Sequence, residues 1–182
     1  KRQRLVREKG IYELIDGFLA LAPDYPELKL VIAGNGPEEE RLRDYVVNAG
    51  VGERVTFTGY VRGADKVRVL KAAGLFVFPT YYGEGCPVSL LEAMAAGLPV
   101  VTTRAGGISH IVREPENGLL LNKVTPGDIE AAIRQLLENT QLRAAMRNTN
   151  MREAWDRYSA PVVTQLFENL YAGVGDVANA GR

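Results

Sequence analysis

The sequence predicts an α/β fold, a Rossmann-like parallel sheet with helices on both faces. Three observations predict it. Short apolar runs alternate with helical stretches along most of the chain. The apolar runs lead into turns bearing glycine or proline: GNGP at 34–37, GYV at 59–61, GEGCP at 83–87 and RAGG at 104–107. No repeat of solenoid period and no low-complexity run offers a competing architecture. In open parallel sheets such turns lie at the carboxyl ends of the strands, where ligands bind.

Composition fits one globular domain. The chain has 182 residues, 46% of them hydrophobic, enough to bury a core. Lys plus Arg and Asp plus Glu are 22 each, so formal net charge is zero and bulk charge gives no reason to expect nucleic-acid binding. One cysteine excludes an internal disulfide and fits a reducing, cytoplasmic compartment. No apolar run is long enough to span a bilayer, which leaves only peripheral membrane contact. The chain starts at Lys1, in what reads as the end of a strand or the loop after it. We therefore read it as part of a longer protein.

The elements follow in order. Leu14, Ile15, Phe18, Leu19 and Leu21 share a helix face, and Pro23 and Pro26 end that helix. Arg4, Arg7 and Lys9 cluster before it; by themselves they read as a solvated charged end. Leu28 to Ala33 is a continuous apolar run, as expected of a strand buried on both faces. Gly34, Asn35, Gly36 and Pro37 turn the chain into a helix over 38–47. Val55, Phe57 and Gly59 mark the next strand and its exit. Tyr60 and Val61 follow, Tyr60 being most simply a half-buried aromatic. A helix over 67–73 ends at Gly74, and LFVFPTYY forms the strand that leads to Glu84.

The stretch from Tyr82 to Val101, YGEGCPVSLLEAMAAGLPVV, is a loop, a helix, a stop and a strand. Gly83 and Gly85 flank Glu84. Pro87 suits a first helical turn. Gly97 suits the left-handed position after a helix end, and Pro99 prevents continuation. A helix start after a glycine-rich loop is an anion site, because its first N–H groups lack intrahelical acceptors. Glu84 in the loop and Glu92 one turn into the helix place carboxylates beside it. Phosphate does not call for carboxylates, but the sugars flanking a diphosphate do, since carboxylates accept hydrogen bonds from hydroxyl pairs. A core helix with an incidental loop glutamate is the simpler alternative.

Beyond it, PVVTTRAGGISHIV gives a strand, a turn at Gly106–Gly107 that lets backbone approach a ligand, and a short helix holding His110, which reads as a surface or core residue. A short strand over 119–121, a helix over 126–137, one or two helices over 140–158 and a helix over 160–171 complete the domain. This places the domain at residues 1–172, with a glycine- and alanine-rich, mobile tail at 173–182.

A glutamate, seven residues, a second glutamate and then AMAAGLPVV resembles the signature of retaining GT-B glycosyltransferases of family 4, the group 1 glycosyl transferases. The resemblance covers about Arg4 to Tyr171 and implies the C-terminal half of a GT-B fold. It implies that Glu84 contacts the donor sugar and Glu92 the nucleotide ribose. Backbone groups around Gly85, Cys86, Val88 and Ser89 would meet the sugar and diphosphate. Arg4 and Lys9 match the family's diphosphate-binding pair. Gly34, Asn35, Tyr60 and Val61 match the segments around the nucleotide. The chain departs from the family pattern at Gln3, where glycine is usual, at Cys86–Pro87 in place of Phe-Gly, and at His110 in place of glutamate.

The implied partners are a nucleotide-sugar donor and, through an N-terminal domain absent from this chain, an acceptor glycan or lipid-linked sugar. The implied reaction is sugar transfer in polysaccharide, lipopolysaccharide or glycolipid synthesis, with no cofactor and no metal. The sequence has no Asp-x-Asp or His/Cys cluster to hold a metal. This fragment by itself is expected to bind donor without turnover. A nucleotide-sugar epimerase of the same fold and a non-catalytic nucleotide-sugar-binding module are the alternatives.

Overall fold

The computed structural model describes residues 4–179, with side chains up to residue 169. A 3-10 turn at Arg7–Lys9 precedes α1 (Ile11–Leu21), β1 (Leu30–Ala33) and α2 (Glu39–Asn48). A second 3-10 turn, Gly52–Arg54, leads to β2 (Val55–Gly59), α3 (Gly63–Ala72), β3 (Phe76–Phe78) and α4 (Val88–Ala95). Then come β4 (Val100–Thr103), a 3-10 turn at Gly106–His110, β5 (Gly118–Leu121), α5 (Pro126–Glu138), α6 (Thr140–Tyr158) and α7 (Ala160–Asn179).

All strand pairs are parallel, as the alternation predicts, but the strands form two pieces. β1 pairs with β2, with Leu30 opposite Val55. β3, β4 and β5 lie in that order, with Phe76 opposite Val100 and Val100 opposite Gly118. The carboxyl ends of β1 and β3 are joined through residues 4–8. Leu5 N–H donates to the Asn35 carbonyl at 2.9 Å, and Tyr81 N–H donates to the Glu8 carbonyl at 3.1 Å. Arg4 and Asn35 form an isolated parallel bridge.

The three-stranded piece is the well-covered one. Every residue of β4 and β5 is buried. Val101, Leu119 and Leu121 pack with Leu21 of α1, Ile129 and Leu136 of α5 and Met146 of α6. On the other face Val100 and Leu120 pack with Leu90 and Met94 of α4 and Ala154 of α6. α5 starts where Pro126 takes the first turn and the Thr125 hydroxyl accepts from Asp128 N–H at 3.1 Å. A buried polar group joins α6 to the sheet ends. Asn150 Nδ2 donates to the carbonyls of Leu98 and Asn117, both at 2.8 Å. Asn117 in turn donates to Glu153, which pairs with Arg113.

Several expectations change. β1 is not buried on both faces: Ile32 is in the core, but Val31 is 47% exposed. An apolar run reports chain chemistry, while burial also needs an element on each side, and β1 has none over Val31. α3 begins at Gly63, four residues earlier than expected, and α6 is one helix. α7 continues past Tyr171 to Asn179, through most of the stretch expected to be a tail; residues 180–182 lie outside the described residues. Gly97 has φ +75° and closes α4 as expected. Among the described residues no helix is long and apolar enough to cross a membrane.

Candidate functional site

Lys9 is placed by the 3-10 turn and by Gly10 behind it. Gly10 has φ +66°, and a Cβ there would stand 2.3 Å from the Pro79 carbonyl oxygen, so a side chain would push the turn off β3. The Tyr81 hydroxyl donates to the Arg7 carbonyl at 2.9 Å, fixing the turn from the other side. Partial burial, then the Glu13 and Glu8 carboxylates, hold that hydroxyl's pKa above its ordinary value, against the opposing Arg7 charge. The Lys9 ammonium pairs with Glu84 and lies 5.1 Å from the Phe78 ring centre and 5.7 Å from that of Tyr82. Two residues 75 apart in sequence thus meet over the end of β3.

The Glu84 loop is held by its neighbours. Thr103 Oγ1 donates to the Thr80 carbonyl at 2.5 Å, and Gly107 N–H to the Glu84 carbonyl at 2.7 Å. A side chain at Gly106 would put its Cβ 2.1 Å from the Glu84 carbonyl oxygen, and one at Gly107 would put its Cβ 1.9 Å from that of Gly85. The glycine pair therefore admits the Glu84–Gly85 backbone, where the sequence suggests a ligand; nothing in local spacing distinguishes these two guests.

α4 starts at Val88, with Pro87 as its N-cap and not within its first turn. No side chain caps it. The first amides of the helix, those of Val88 and Ser89, have no acceptor among the described residues, as an anion site requires. Gly85 and Cys86 are exposed before it, as is Val88, while Ser89 is half-buried.

Glu92 lies on the second turn of α4, and its Oε1 accepts from Lys66 Nζ at 2.7 Å. Lys66 is the functional candidate that sequence reasoning misses. The apolar spacing starts the helix one residue after it, and no spacing rule links positions 26 apart. Gly34 N–H donates to the Gly59 carbonyl at 2.8 Å, which brings the GNGP and GYV turns together. Asn35 and Tyr60 are exposed; Val61 is buried, so only its backbone could reach a ligand. Arg4 is exposed with no ion pair among the described residues. His110 is exposed at the end of its 3-10 turn. Among the described residues no group of three or more His, Cys, Asp or Glu forms a metal cluster.

Two cation–carboxylate pairs therefore flank an uncapped helix start at the carboxyl ends of parallel strands, the arrangement of an anion- and hydroxyl-binding α/β domain. The fold class is that of GT-B glycosyltransferases. The family model described as "Glycosyl transferases group 1" matches residues 2–153, and the chain belongs to that family.

Among its relatives is the uncharacterized glycosyltransferase MJ1607 of Methanocaldococcus jannaschii, 32% identical over 168 residues, which are 92% of this chain and 43% of that protein. Phosphatidyl-myo-inositol mannosyltransferase of Mycobacterium leprae is 31% identical over 91% of this chain and 43% of its own length. Among solved structures, Anabaena Alr3699/HepE in complex with UDP and glucose superposes with a TM-score of 0.81 at 26% identity, over 92% of this chain and 46% of that one. The chain spans less than half the length of these proteins.

Proposed function

We propose that this chain is the donor-binding, C-terminal domain of a retaining GT-B glycosyltransferase of family 4. The complete enzyme would move a sugar from a nucleotide diphosphate sugar to the hydroxyl of a glycan or lipid-linked acceptor, on the cytoplasmic side of a cell. The observation that carries this reading is the gathering of Lys9, Glu84, Glu92 and the free amides of α4 along the loop and helix that follow β3. The UDP-bound state of HepE supports a nucleoside diphosphate as the shared ligand.

In this reading the diphosphate lies over the start of α4, facing Lys9 and Arg4. Its negative charge grows as the glycosidic bond breaks, and preorganised cations and amides stabilise that charge. Glu92 accepts from the ribose hydroxyls. Glu84 accepts from the donor sugar, and sugar orientation sets turnover. Gly34, Asn35, Tyr60 and Val61 border the base. Charge neutralisation by side chains and amides leaves no step that needs a metal, so donor binding should survive excess EDTA.

Titration of the wild type, Glu92→Gln and Glu84→Gln with UDP and UDP-glucose tests the assignment. Glu92→Gln should weaken both ligands by about 1–3 kcal/mol. Glu84→Gln should spare UDP, because it also frees Lys9 for the diphosphate. Equal losses of UDP in the two variants would refute the division of roles. A wild type that binds no UDP-, GDP- or ADP-sugar in a thermal-shift panel would refute the donor-binding reading itself.

A further inference from the structure

We propose that Lys66 is a positioning residue for the nucleotide ribose, acting through Glu92; the proposal rests on the donor-binding reading above. Lys66 Nζ is 2.7 Å from Glu92 Oε1, and both side chains are partly covered, at 25% and 34% exposure. The other oxygen of Glu92 has no partner among the described residues. A carboxylate offers about four acceptor positions. One oxygen is thus fixed by the lysine while the second is presented to the cleft.

Three consequences follow from this placement. First, a glutamate on a helix surface samples several rotamers, and ordering it is a cost of binding. A glutamate already held by an ammonium has met that cost. Second, an uncompensated carboxylate beside a diphosphate would repel it. Lys66 neutralises Glu92 as Lys9 neutralises Glu84, so the cleft keeps its hydroxyl acceptors without presenting two net negative charges to an anion. Third, Lys66 lies in the first turn of α3, just after Tyr60 and Val61. α3 buries none of its own residues. The Lys66–Glu92 pair is therefore a tie from α3, the helix that follows β2, to α4, the helix whose start the diphosphate would meet.

The test separates positioning from a purely structural role by using a ligand without the hydroxyls. Wild type, Lys66→Met and Lys66→Arg are titrated calorimetrically with UDP and with 2′,3′-dideoxy-UDP. Lys66→Met should weaken UDP about tenfold and the dideoxy nucleotide no more than about threefold, so that the preference for the ribose hydroxyls shrinks. Lys66→Arg should restore most of that preference. In a Glu92→Gln background, Lys66→Met should add nothing further to the loss of UDP.

Equal weakening of UDP and its dideoxy analogue would show that the lysine only supports the fold and would overturn the proposal. An unchanged affinity for UDP in Lys66→Met would overturn it as well. Failure of the wild type to bind UDP, GDP or ADP would instead overturn the donor-binding reading, and this proposal with it.

Discussion

The two walls of the candidate site are built differently. Glu84, Glu92 and the start of α4 rest on the three-stranded piece, where β4 and β5 are buried throughout and helices cover both faces. Asn35, Tyr60 and Lys66 rest on the two-stranded piece, where β1 leaves Val31 half in solvent and α3 buries nothing. The difference teaches that the first wall is packed on both faces, whereas the second is packed on one face only. There Ile32 and Val55 meet Ile15 and Phe18 of α1 and Leu42 and Val46 of α2, and the wall ends in an α3 held to α4 by the Lys66–Glu92 pair. Under the proposed function, contacts to the sugar and diphosphate would come from the doubly packed wall, and contacts to the base from the softer, singly packed one, whose α3 a ligand could shift at smaller cost.

The comparison breaks most visibly at Leu90, which is fully buried on the sheet-facing side of α4. Leu90→Ala should cost about 2–5 kcal/mol of unfolding free energy, read by urea denaturation, because it removes packing and leaves a cavity. A loss below about 1 kcal/mol would mean that the first wall is not packing-determined.

A smaller effect is expected at Gly107. There a Cβ would stand 1.9 Å from the Gly85 carbonyl oxygen, so Gly107→Ala must displace the Glu84 loop. The expected stability loss is about 1–3 kcal/mol, accompanied by weaker UDP-glucose binding in calorimetry. Unchanged binding would show that the loop position does not matter to the ligand.

Asn150→Leu should cost about 1–2 kcal/mol in thermal unfolding. It strips the donors from the Leu98 and Asn117 carbonyls, partly offset by the apolar side chain and by removal of the buried, unpaired Oδ1. The smallest effect belongs to the softer wall. Val67 on α3 is 48% exposed, and Val67→Ala should change stability by less than about 0.5 kcal/mol. In hydrogen exchange, the α3 amides of the wild type should also open well before those of α4. Similar exchange in the two helices would erase the distinction between the walls.

Legibility in the sequence follows the same division. The Tyr82–Val101 unit is readable because its signals are local: Pro99 and Gly97 stop a helix, and Glu92 sits a fixed number of residues from its start. The strand–turn–helix alternation is readable for the same reason. Burial of β1 is not, because LVIA has the same chemistry whether or not a helix lies over Val31. The partners of Glu84 and Glu92 are not, because Lys9 and Lys66 reach them only through the fold. The Gly106–Gly107 turn is half readable: the residue type announces a close approach, but not that the approaching backbone is that of Glu84 and Gly85.

Cys86 carries one more consequence. It is the chain's single cysteine, and it stands exposed between Glu84 and the first amides of α4. A thiol-directed dye therefore attaches at one address, beside the place where a diphosphate would arrive. The same chemistry supplies a footprint, since a bound ligand would slow alkylation there while leaving no other thiol to confuse the count. It also sets a handling rule, because under oxidising conditions two such chains can join through their clefts and lose the surface that matters.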